Sequence, residues 1–146
     1  MSAKDSSILF FAYGLKMDEK RMMALDADCE LMGTARLDGY RFEFTAQGHA
    51  NLQADPESKG WGILWLVPAR QMEALDAWAK SRGFERTVLF VISPAGPRVP
   101  ATAFINLDGT TGSPDPAEWT EILAAARTAK LERSYLTHLK SLSPGS

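Results

Sequence analysis

Apolar residues open this chain as an unbroken run, Ile8-Leu9-Phe10-Phe11-Ala12, which predicts a strand buried on both faces. The run stops at Tyr13-Gly14. Asp18 then caps a helical spacing over Glu19–Leu25, with Met22, Met23 and Leu25 on its apolar side. A strand over 29–37 follows. Next, Tyr40-Arg41-Phe42-Glu43-Phe44-Thr45 alternates aromatic with polar, so Tyr40, Phe42 and Phe44 share one face of a half-buried strand. Asp38-Gly39 between these two is a hairpin signal. Gln47-Gly48-His49 reads as a loop, 50–53 as a short strand and Asp55-Pro56-Glu57-Ser58 as a turn. Over 59–67, apolar residues fill both alternating sets, Trp61, Ile63, Trp65 and Val67 against Leu64 and Leu66. That predicts a central strand, and Gly60 and Gly62 within it mark a bulge or a close approach.

Pro68 suits a first helical position, and a helix over 68–80 carries Met72, Leu75 and Ala79 on its buried stripe. Strands over 84–93 and 100–106 are parted by Pro94-Ala95-Gly96-Pro97. Pro114 and Pro116 punctuate a loop, helices over 116–128 and 131–141 follow, and 142–146 is a frayed tail. Strands outnumber helices and follow one another, which argues against a regular parallel doubly wound sheet. The expected fold is mixed α/β (α+β): a small, curved, mixed β-barrel flanked by helices. One domain over 1–146 is expected, its core at about 8–141.

Charge changes the picture only by exclusion. The 16 basic and 18 acidic residues nearly balance, and no basic face emerges, so nucleic acid is not an expected partner. The Tyr40, Phe42, Phe44 stripe also lacks the basic interleaving that single strands need. No apolar stretch reaches the length of a membrane span. The polar start at 1–7 does not resemble a leader, and Cys29 is the single cysteine, so a cytoplasmic, reducing location is expected. Two histidines and one cysteine at scattered positions give no metal-ligand spacing, and no cofactor is expected. Cys29 and the four tryptophans read as core residues, and His138 as a surface residue on the last helix. His49, in a loop, is either solvated or a general base. The oligomeric state is left open.

The candidate chemistry lies at Tyr13-Gly14-Leu15-Lys16-Met17. A strand that turns into a helix presents backbone amides and a helix N-terminus, together an anion cradle. Gly14 there is free to take backbone angles closed to other residues. The competing reading is a tight turn that binds nothing.

Three stretches, in order, resemble the γ-glutamylcyclotransferase-like family. Phe11-Ala12-Tyr13-Gly14-Leu15-Lys16-Met17 resembles its Tyr-Gly-Ser-Asn-Leu/Met loop. Ala50-Asn51-Leu52, Gly60-Trp61-Gly62-Ile63-Leu64-Trp65 and Leu75-Asp76 resemble its Ala-Asn-Ile/Leu, Val-Trp-Gly-Val-Leu-Trp and Leu-Asp-x-x-Glu run. Ser113-Pro114, Trp119, Ala125-Ala126-Arg127, Tyr135 and Leu139 resemble its closing helices. The resemblance implies a pocket at the Tyr13–Met17 loop for a small ligand with a glutamyl-like carboxylate. It also implies the reaction. The α-amine of a γ-glutamyl amide attacks its own γ-carbonyl, giving 5-oxoproline and a released amine, while a glutamate shuttles the proton. The chemistry is coherent, because one carboxyl can deprotonate the nucleophile and protonate the leaving group, and amides can hold the oxyanion.

Three positions depart from the family pattern. Its glutamate falls on Ala79, and Leu15 and Lys16 stand where Ser and Asn are usual. Three explanations stay open. Another carboxyl serves, with Asp76, Glu73, Glu43 and Glu85 as candidates. Alternatively the chemistry differs, with Lys16 holding a carboxylate or phosphate. The third is a non-catalytic binding or regulatory domain.

Overall fold

The computed structural model describes residues 6–144. Of the polar start and the frayed tail expected from the sequence, residues 1–5, 145 and 146 lie outside it. The opening apolar run is β1, Ser7–Ala12. A single 3-10 turn at Leu15–Met17 leads into α1, Glu19–Leu25. Two long strands follow, β2 at Glu30–Phe44 and β3 at Ala50–Pro68. A 3-10 turn at Ala69–Gln71 opens α2, Met72–Ser81. Strands β4, Glu85–Ile92, and β5, Arg98–Ile105, precede α3, Pro116–Thr128, and α4, Arg133–Ser141.

The five strands close a barrel in the order β1-β3-β2-β4-β5. β3 runs antiparallel to both β1 and β2 and lies between them, as apolar residues on both of its faces require. β5 meets β1 in parallel, so the sheet is mixed. Phe11, Phe42, Trp65, Val67 and Val91 are at most 1% exposed and share one core with Leu75 of α2, Ile122 of α3 and Leu139 of α4. Each such side chain is worth roughly 1.5–3 kcal/mol of burial. No helix of the described residues is long and apolar enough to cross a membrane.

The chain reverses elsewhere than the Asp38-Gly39 signal indicates. β2 continues through both residues, and Gly39 takes a φ of +88° inside it. Asp38 pairs with Lys59 and Tyr40 with Ala54, so residues 55–58 bulge from β3 opposite Gly39. The expected turn there survives as that protrusion, with Asp55 accepting from the Glu57 amide and the Ser58 hydroxyl. The reversal sits at Thr45–His49, where the Thr45 amide donates to the His49 carbonyl at 2.8 Å and Gly48 takes a φ of +87°. A glycine at positive φ suits a hairpin and a bulge equally, which is why the dipeptide misdirects.

Of the two glycines in the central strand, Gly62 is the close approach. A Cβ on it would stand 2.3 Å from the Ala12 carbonyl oxygen, whereas one on Gly60 meets nothing nearer than 3.6 Å. Bare backbone at Gly62 therefore lets the end of β1 lie against β3, and this end carries the Tyr13 loop.

Candidate functional site

Where β1 ends, Tyr13 anchors the loop that follows. Its buried hydroxyl donates to the Phe104 carbonyl of β5 at 2.5 Å. Burial pushes the phenol well above its ordinary range, with Tyr135 and Glu118 adding to the shift. Tyr13 is thus an uncharged strut. Gly14 follows with φ −123° and ψ −133°. Space is what it supplies, because a Cβ there would stand 3.1 Å from the Ala50 Cβ.

The loop forms one wall of a cavity. Phe10, Phe11, Ala12, Phe84 and Phe104 give it an apolar floor, and Tyr13, Gly14, Leu15 and Lys16 border it from the loop. The far side is Trp78 and Arg82 from the end of α2 and Glu118 from the start of α3. Free space inside is about 40 Å³, enough for a water rather than for a ligand. Of its lining, Lys16, Trp78 and Arg82 are partly exposed. Both cations lean on the indole, Lys16 Nζ at 4.7 Å and Arg82 Cζ at 5.0 Å from its centroid. Burial lowers the Lys16 pKa, and repulsion from Arg21 and Arg82 adds to the effect.

Glu118 is the polar centre of the cavity, with only 7% of it exposed. Asp115-Pro116 fixes the start of α3: the Asp115 side chain accepts from the Glu118 amide at 2.9 Å, and Pro116 occupies a first-turn position. In a capping box the glutamate side chain would return to the Asp115 amide. Here that amide donates to the Gly48 carbonyl instead, and the Glu118 carboxylate is free to reach across. Its Oε2 accepts from the Ala50 amide at 3.1 Å. Arg82 Nη2 donates to its Oε1 at 2.6 Å, and His49 Nδ1 lies 3.0 Å from the same oxygen. Arg82 Nη2 is also 2.8 Å from His49 Nδ1. The neighbouring Asn51 amide is fully used, since it donates to the Asn106 carbonyl and accepts from the Asn106 N–H. That pairing ties the start of β3 to the end of β5.

The family model described as "Gamma-glutamyl cyclotransferase, AIG2-like" matches residues 10–121. The chain belongs to this family. Human gamma-glutamylcyclotransferase is 22% identical over 152 residues, covering 96% of this chain and 81% of that protein. A solved structure described as gamma-glutamyl cyclotransferase superposes with a TM-score of 0.87 at 22% identity, over 97% of this chain and 90% of that one. YkqA from Bacillus subtilis gives 0.79 at 23% identity, over 99% of this chain and 58% of that one. At these identities, the structural likeness shows the shared barrel.

Set against the cyclotransferase family pattern, the sequence candidates scatter. Ala79 is 1% exposed and borders no part of the cavity; its carbonyl accepts the amides of Arg82 and Phe84. Asp76 is paired with Arg86 outside, Nε to Oδ1 at 2.9 Å. Glu43 pairs with Arg41, and Glu73 and Glu85 lie exposed. None of these four carboxyls borders the cavity. Leu15 and Lys16 do, but Met17 borders an open groove beside Asp18 and Trp65 instead. His138, expected at the surface, is half-buried with Nε2 2.9 Å from the Phe42 carbonyl oxygen. Cys29 is buried, which raises its thiol pKa. Among the described residues, no three His, Cys, Asp or Glu side chains gather to hold a metal ion. Glu118 and Arg82 escape the sequence reading. Asp115-x-x-Glu118 signals helix capping, and Arg82 reads as an ordinary basic residue after a helix.

Proposed function

We propose that this protein binds a γ-glutamyl amide at the Tyr13–Lys16 wall and cyclises it to 5-oxoproline, with Glu118 as the proton carrier. The observation supporting this is a buried carboxylate in a cavity of the right family, opposite the Tyr13-Gly14 turn. Glu118 then does from α3 what the family glutamate, at the position of Ala79, does from α2. The carboxylate takes a proton from the α-ammonium. The freed amine attacks the γ-carbonyl carbon, N–H groups of the turn hold the oxyanion, and the C–N bond to the leaving amine breaks. Arg82 and Lys16 are the cations available for a substrate carboxylate.

The test is 5-oxoproline release by the wild-type protein from a panel of γ-glutamyl amino acids and amines, with calorimetric binding in parallel. Release is expected. Binding without release would favour the non-catalytic alternative, and neither would overturn both. In the same assays Gly14→Val should abolish binding, because its side chain fills the space between the turn and Ala50. Its thermal midpoint should fall by roughly 3–10 °C, the about 1–3 kcal/mol that crowding against Ala50 costs in a chain of this size, with the fold retained. Retained affinity would refute a binding role for the turn.

A further inference from the structure

We infer that His49, which touches Glu118 but does not itself line the cavity, is a second proton carrier, receiving through Nδ1 the proton that Glu118 takes from the substrate. The inference rests on the cyclotransfer reading above and deepens it. Proton balance asks for such a group. The α-ammonium gives up two protons in becoming the lactam N–H, as its nitrogen forms the bond to the γ-carbon. The leaving nitrogen gains two in becoming an ammonium, as its bond to that carbon breaks. One carboxylate holds one proton at a time, so a second basic atom within reach lets both transfers finish in one pass.

The geometry supplies that atom. Arginine has no acceptor, so the 2.8 Å contact between Arg82 Nη2 and His49 Nδ1 is a hydrogen bond donated to the ring nitrogen. Nδ1 then carries a lone pair and Nε2 carries the hydrogen. The same Nη2 donates to Glu118 Oε1 at 2.6 Å. In the resting state, therefore, two acceptors, Oε1 and Nδ1, stand 3.0 Å apart with Arg82 bridging them. Once Oε1 gains a proton it becomes a donor 3.0 Å from Nδ1, whose single lone pair turns to it from Arg82 Nη2. Transfer to Nδ1 regenerates the carboxylate, and the reverse transfer reloads it for the leaving nitrogen.

The ring is held for this and is open on one side. The His49 amide donates to Thr45 Oγ1 at 3.2 Å, its carbonyl accepts from the Thr45 amide, and its ring centroid is 6.4 Å from that of Phe84. A quarter of its side chain is exposed. The charged and titratable groups around the pair are Arg82 after α2, Asp115 and Glu118 at the start of α3, and Tyr13 and Lys16 in the loop.

His49→Gln keeps a polar side chain of similar reach that cannot hold a proton. It should lower kcat for 5-oxoproline release about 100-fold, the lower end of general acid–base effects, with little change in KM. The pH profile of kcat should change shape with it. A second measurement needs no substrate. NMR titration of the ligand-free His49 ring should find the neutral ring protonated on Nε2. Unaltered kcat and pH profile in His49→Gln would overturn the relay, as would a neutral ring protonated on Nδ1. A wild-type protein that releases no 5-oxoproline defeats the cyclotransfer reading separately, and the ring tautomer still decides whether Nδ1 is open to a proton from Glu118.

Discussion

Glu118→Gln is expected to lower 5-oxoproline release by about 10²- to 10⁴-fold, the range for loss of a positioned acid–base group. The substitution keeps the shape and removes the proton site. The amide oxygen can still accept from Arg82, but its NH₂ then faces the Ala50 amide, donor against donor. That mismatch costs about 1–3 kcal/mol in a buried place, so the thermal midpoint should fall as well. Calorimetry separates the two effects: the variant should still bind a γ-glutamyl amide it no longer cyclises. Asp76→Asn is the comparison. Its partner Arg86 is exposed with it, and such pairs are worth at most about 1 kcal/mol, so rate and midpoint should barely move. A Glu118→Gln protein with the wild-type rate would remove Glu118 from the mechanism.

Gly62→Ala is expected to be strongly damaging for a single added methyl. The added Cβ would sit 2.3 Å from the Ala12 carbonyl oxygen and 3.0 Å from the Phe11 ring. A ring can tilt, but a carbonyl in the β1–β3 ladder moves only if the strands part. Overpacking of a core costs typically 1–3 kcal/mol, and a backbone clash belongs at or beyond the upper end. In a chain of this size that lowers the thermal midpoint by roughly 10 °C. Gly60→Ala, two residues earlier with nothing nearer than 3.6 Å, should cost far less. Equal midpoints for the two variants would refute the close-approach account.

How far the sequence speaks depends on whether a residue's meaning is local. The Ile8–Ala12 run, the alternation at Tyr40, Phe42 and Phe44, and the filled faces around Trp65 are local patterns, and each forms the strand it predicts. Asp38-Gly39 is local but ambiguous, since a positive φ serves a bulge as well as a hairpin. Tyr13 to Lys16 border the cavity, whereas Met17, one residue further along the 3-10 turn, borders a different groove. Glu118 was not legible at all. Its partners Ala50 and Arg82 are 68 and 36 residues away, and its own surroundings, Asp115-Pro116-Ala117-Glu118, spell a helix start. The vacancy at Ala79 could be read from the chain, but only the barrel's closure brings another carboxylate to the cavity.

The ion pair between Arg82 and Glu118 has a consequence for what can enter. Arg82 follows the C-terminal end of α2 and Glu118 sits in the first turn of α3, so each charge stands at the helix end whose dipole favours it. The two walls set up an electric field across the space between them. A zwitterion slipped into that field has one favoured orientation, ammonium toward α3 and carboxylate toward α2. It would exchange one internal ion pair for two, leaving neither buried charge without a partner. On the proposed function, the cavity thus carries the counterpart, in charge, of an amino-acid headgroup.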